Sequence, residues 1–156
     1  MKREKTIELI HDFFRGNDWK YDYDQENAVF YAIISMDNII GNLRLRIVVR
    51  DRYYKVYAIL ANKSDMDHIE KVAEYLHRAN YDLNNGNFEL NYRDGEVRYK
   101  TFVEFLGVEF TGTTVEKSIL IPIIMFDRYG KNLMKVMLGD DSLEELLNEA
   151  ELSEQS

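Results

Sequence analysis

Cysteine is absent from the 156 residues, which excludes disulfides, thiolate zinc sites, Fe–S clusters and a cysteine nucleophile. A reducing compartment suits such a chain. Proline occurs once and glycine eight times, so no linker, collagen-like or low-complexity segment can be proposed. Long apolar runs are missing too. The most apolar one, "ILIPIIMF" at 119–126, is far shorter than the roughly 20 residues of a membrane span. The opening "MKREKTIELIHDFF" carries Glu4, Glu8 and Asp12 through its apolar positions, unlike the core of a signal peptide. No internal repeat is visible. These absences predict a soluble cytoplasmic protein with no membrane partner, built as one domain over 1–150 with an acidic tail at 151–156.

What is present argues for a folded globule: 46% hydrophobic residues, 13% aromatic. The net charge of -8 is unevenly spread. From Asp140 onward stand seven acids and no Lys or Arg, and the remainder holds 20 bases against 21 acids. The acid therefore concentrates at the C-terminal end, where it reads as a solvated tail.

Helical spacing of Ile7, Ile10, Phe13 and Phe14 predicts an amphipathic helix over 3–15, stopped at Gly16-Asn17. "WKYDYD" (19–24) alternates as a strand does, and "AVFYAIISM" (28–36) is apolar in both phases, which predicts a strand covered on both faces. Residues 43–50 and 53–61 predict a hairpin about Asp51-Arg52. Its residue numbers then sum to 103 across the pair, setting Arg46 opposite Tyr57, Arg50 opposite Tyr53 and Arg44 opposite Ile59. Ser64 with Asp67 resembles a capping box opening a helix through Ile69, Val72, Ala73, Leu76 and Ala79 to Asn80. In "FELNYRDGEVRYKT" (88–101), Asp94-Gly95 predicts a two-residue turn. That turn places Tyr92 opposite Val97, Leu90 opposite Tyr99, Arg93 opposite Glu96 and Glu89 opposite Lys100. Thr113 with Glu116 suggests a cap on a long helix ending at Gly139, kinked or divided at Pro122. A short acidic helix over 142–150 begins at Ser142.

Strands and helices do not alternate, so the fold class is α+β: an antiparallel sheet of about five to six strands, helices on one face, in the order helix, strands, helix, hairpin, helices. The stretch "VAEYLHRANYDLNNGNFELNYRDGEVRYKT" (72–101) resembles the YbjN family, whose fold is similar to type III secretion chaperones. Asn80, Leu83, Gly86, Phe88, Glu89, Leu90, the Asp94-Gly95 turn, Val97, Arg98 and Tyr99 carry the resemblance. It implies that fold and self-association as a homodimer, and it implies no catalytic residue.

Chemistry-bearing patterns are sparse. No nucleotide-binding glycine motif, HExxH, GxSxG or EF-hand loop occurs. His68 and Asp65 would lie one helical turn apart, a spacing a metal could use, but Asp65 and Asp67 read first as the residues of a capped, solvated helix start. The lone glycine of "DRYGKN" (127–132) reads as a packing point, and Asp140-Asp141 as helix-start residues. No catalytic residue, cofactor or metal ligand is assigned. The contrast worth pursuing is "LRLRIVVRDRYYKVY" (43–57), with five cations against Asp51 in an acidic chain. Arg44, Arg46, Arg50, Tyr53 and Tyr57 are the candidate partner-binding residues. They can face solvent, a protein, or phosphates and bases. The acidic balance disfavours nucleic acid, whose binding rests on Lys and Arg. The expectation is a non-enzymatic, chaperone-like or regulatory module that binds a polypeptide partner as a homodimer. The alternative is a regulatory module that takes nucleic acid or another anionic ligand on the same face.

Overall fold

Alternating side chains along 43–60 decide the centre of the sheet. In a computed structural model describing residues 2–81, 83–139 and 143–155, strands β3 (Asn42–Val49) and β4 (Tyr53–Leu60) pair antiparallel with their numbers summing to 103. One face of the pair carries Leu43, Leu45, Ile47 and Val49 with Tyr54, Val56, Ala58 and Leu60, all buried. Around this pair stand β1 (Asp22–Asp24), β2 (Val29–Ser35), β5 (Asn87–Leu90) and β6 (Val97–Glu104). The order across the six-stranded sheet is β1-β2-β3-β4-β6-β5, and every neighbour is antiparallel.

Among the described residues there are four α-helices, α1 (Lys2–Gly16), α2 (Ile69–Asn80), α3 (Gly112–Met137) and α4 (Leu143–Gln155). They set Ile10, Phe14, Val72, Leu76, Val115, Ile119, Phe126 and Leu133 into one core with the inward sheet residues. An aliphatic and aromatic core of this kind supplies the main driving force for folding. The class is α+β with an antiparallel sheet, as the element order predicts. Helix α4 runs on to Gln155, so no break falls between the expected domain end at 150 and the expected tail. Ser142 and the Asp140-Asp141 pair lie outside the described residues. Among the described residues, no helix is long and apolar enough to cross a membrane.

Six local expectations are corrected, three in the sheet and three in the helices. Strand β2 is not covered on both faces, because Tyr31 is 44% and Ile33 69% exposed on the side without helices. The strand expected over 19–24 is confined to Asp22–Asp24, since Trp19 leaves the sheet to pack on Phe13 at 5.3 Å. The second hairpin pairs with sums of 187, not 189: Leu90 faces Val97, Phe88 faces Tyr99 and Glu89 faces Arg98. Its turn is longer than two residues because the Asn91 N–H donates to the Glu96 carbonyl and the Gly95 N–H to the Asn91 carbonyl. The slip of two preserves which residues face inward. Gly95, at φ +78, must lack a side chain here, as a Cβ would stand 2.3 Å from the Ser64 carbonyl.

The caps move as well. Asp65, not Ser64, caps the 3-10 turn Met66–His68 that precedes α2, its carboxylate accepting from the Asp67 N–H at 3.1 Å. Thr111, not Thr113, begins α3, and its N–H donates to Thr114 Oγ1 at 3.5 Å. Pro122 neither breaks nor divides α3, which is assigned continuously from Gly112 to Met137. Gly130 is a packing point, since Ile40 Cδ1 occupies the space a Cβ would take, 2.6 Å away.

Candidate functional site

Among the described residues the helices pack with the inward sheet side chains, and the other side of the sheet is left to its own side chains. Register places these in rows. One row runs Asp22, Tyr31, Arg46, Tyr57, Lys100 and Asn87; the next runs Ile33, Arg44, Ile59, Arg98 and Glu89. A third carries Asp24, Val29, Val48, Lys55 and Phe102. Between the charged residues, Val29, Val48, Tyr57 and Ile59 form a second apolar cluster, each no more than 8% exposed. Among the described residues no helix covers them. Long Arg and Lys stems alongside do so, keeping their charged ends in water.

Tyr57 lies beneath two guanidinium groups, with Arg98 Cζ 4.3 Å and Arg46 Cζ 5.7 Å from its ring centroid. Arg98 Nε also donates to Glu89 Oε1 at 2.9 Å, and Lys100 Nζ to Glu89 Oε2 at 3.0 Å. Burial raises the Glu89 pKa, but the hydrogen bond from Lys100 and the charges of Arg98 and Lys100 outweigh it, and the net shift is downward. Arg44 Nη2 reaches Glu96 Oε2 at 3.7 Å. Among the described residues, Arg46 and Lys55 have no carboxylate within ion-pair distance. Tyr53 packs against Phe102 with tilted rings, centroids 5.2 Å apart, and Phe102 is half exposed.

The five sequence-chosen residues therefore separate. Arg44 and Arg46 are exposed on the helix-free face as expected. Tyr57 is there too, but it is the buried floor under Arg46 and Arg98 rather than a free ring. Tyr53 lies at the end of the face with Phe102. Arg50 turns aside: its Nη1 donates to the Asn27 carbonyl at 3.1 Å and the Val49 carbonyl at 2.8 Å, fastening the loop before β2. Tyr31, Ile33, Phe102, Arg98 and Lys100 were not anticipated at this face. Their alternation was legible in each strand, whereas the pairing of β4 with β6 across the 36 residues between Leu60 and Val97 was not.

No model of a known protein family matches this chain, and no curated protein sequence does.

Elsewhere, His68 ends the 3-10 turn and its ring packs where a Gly139 side chain would project. Among the described residues, no three His, Asp or Glu side chains converge as a metal site. His11 Nδ1 and Tyr21 Oη share a hydrogen bond of 2.7 Å beneath β1.

Proposed function

We infer that this chain is a non-enzymatic interaction module that binds a polypeptide on the helix-free face of its sheet. The observation that carries the reading is the exposure of Tyr31, Ile33 and Phe102 on the helix-free face, interleaved with Arg46 and Lys55, which among the described residues meet tyrosine rings but no carboxylate. Apolar anchors rimmed by charge are what a protein interface needs. The resemblance of residues 72–101 to the YbjN family adds chaperone-like or regulatory action as a homodimer, and light scattering at about twice 18.5 kDa would support the dimer.

Nucleic acid is the weaker reading. Base stacking requires open rings, and Tyr57 is held closed between Arg98 and Arg46 while Glu89 neutralises part of the cationic row. A photo-crosslinking side chain in place of Tyr31, compared with one in place of the exposed helix residue Ile124, tests the assignment. In the native host, specific polypeptide adducts are expected from position 31 and not from 124, and they should weaken with Arg46→Glu. Nucleic acid adducts, or equal labelling from both positions, would overturn it.

A further inference from the structure

Two glycines flank strand β5, and each follows a residue whose side-chain carbonyl carbon can close on the glycine nitrogen: Asn85-Gly86 and Asp94-Gly95. Such closure makes a five-membered succinimide, and a glycine, having no Cβ, shields its nitrogen least. Both glycines stand at φ +78.

The fold treats the two pairs in opposite ways. The Asp94 carboxylate accepts from Lys63 Nζ at 2.9 Å and from the Glu96 N–H at 3.0 Å, which lowers its pKa and keeps it ionised. An ionised carboxylate is a poor electrophile. The Gly95 N–H is engaged as well, donating to the Asn91 carbonyl at 2.8 Å. At Asn85-Gly86 neither restraint exists. Asn85 is exposed, and among the described residues its carboxamide and the Gly86 N–H have no hydrogen-bond partner. Other carboxamides are occupied: Asn17 donates to the Phe13 carbonyl, Asn80 to that of Phe88 and Asn132 to that of Leu146.

We propose that Asn85 is a self-modification site, where the carboxamide closes on the Gly86 nitrogen and reopens as isoaspartate or aspartate. The Gly86 nitrogen gives its proton to solvent hydroxide and attacks Asn85 Cγ, forming the N–Cγ bond. The Cγ–Nδ2 bond then breaks, and the nitrogen leaves as ammonia after taking a proton from water. Water is the co-reactant of the second step. It adds to one imide carbonyl, and the C–N bond at that carbonyl breaks. Opening at Cγ gives aspartate on an unchanged backbone. Opening at the main-chain carbon gives isoaspartate, with the chain rerouted through Cγ and the former carbonyl left as a carboxylate.

That carbonyl is the acceptor of the Tyr99 hydroxyl, whose ring is wholly buried. Gly86 lies so close to β6 that a Cβ would stand 2.3 Å from the Lys100 carbonyl oxygen. A backbone lengthened by a methylene fits poorly between these two anchors. Isoaspartate therefore loosens the start of β5, and aspartate does not.

The test incubates the full chain, native and in urea, in mildly alkaline buffer and maps its peptides by mass spectrometry over time. Asn85 should gain the mass difference between amide and acid ahead of Asn80, Asn84 and Asn87, in separable aspartate and isoaspartate forms. Asn85→Gln should lose the signal, because its closure needs a six-membered ring. The native rate should lie less than roughly a thousandfold below the rate in urea, the smallest deficit that a route through global unfolding imposes. Amide exchange at Asn87 and Phe88 should be faster in the isoaspartate form than in Asn85→Asp. A larger deficit, an Asn85 amide that outlasts other asparagines, or aspartate without isoaspartate would each overturn the site. Equal exchange in the two forms would overturn the loosening of β5.

Discussion

The Thr101 hydroxyl donates to the Ser118 carbonyl at 2.7 Å, and that carbonyl is the one Pro122 leaves without its helical N–H. Strand β6 thus mends the hydrogen-bond gap that proline opens in α3. Ser118 is tied further: its Oγ donates to the Val115 carbonyl and meets Tyr54 Oη at 2.9 Å. Burial raises the Tyr54 phenol to about 12, and the Ser118 hydrogen bond lowers it only in part.

Thr101→Val keeps the shape but leaves the Ser118 carbonyl buried and unserved. It should cost about 1–3 kcal/mol in urea denaturation. In a Pro122→Ala background, where an N–H is restored at position 122, the same substitution should cost measurably less. Equal costs in both backgrounds would sever the link between hydroxyl and proline.

Asn80→Ala should remove both partners of the Phe88 backbone. Exchange of the Phe88 amide should then accelerate ahead of its neighbours, with a loss of about 1–3 kcal/mol. Unchanged exchange at Phe88 would show that helix α2 alone closes that edge.

Glu89 has its pKa lowered in the folded chain, so it favours folding above the ordinary carboxylate range and loses that effect as pH falls through its folded value. The stability difference between wild type and Glu89→Gln should accordingly be larger at neutral pH and shrink in acid. A difference that does not change with pH would contradict the ionic role given to the Arg98 and Lys100 contacts.

His11 behaves in the same direction by another route. Burial among Tyr21, Tyr23 and Phe30 lowers its pKa, with the Arg15 charge adding to this against Glu8 and Asp12. The neutral form is favoured by folding, so stability should fall as pH drops below the ordinary histidine value of about 6.5. Comparing melting temperatures on either side of that pH should show a smaller drop in His11→Gln than in wild type.

Much of this was readable before any coordinates. Alternation in 43–60 set both the register and the inward face of the central hairpin, because one residue of slip would have exposed Leu43, Leu45, Ile47 and Val49 together. The Asp94-Gly95 turn was misjudged since a slip of two costs no such inversion. Its resolution depends on Asn91 and on Ser64, which lies 31 positions away in the chain and packs against Gly95. The face residues Arg44 and Arg46 followed from strand parity. Phe102, Arg98 and Ile33 required knowing which strands adjoin and where β1 stops. Those are tertiary facts that local periodicity does not contain.

At one end of the sheet Asn80 occupies the outward N–H and C=O of Phe88, whereas at the other β1 pairs with β2 only as far as Tyr31. A chain with two open edges can add copies without limit and grow into a fibre. Here a strand adding at β5 would first have to displace the Asn80 carboxamide from Phe88. The same carboxamide that ends a helix thereby makes the β5 edge harder to extend.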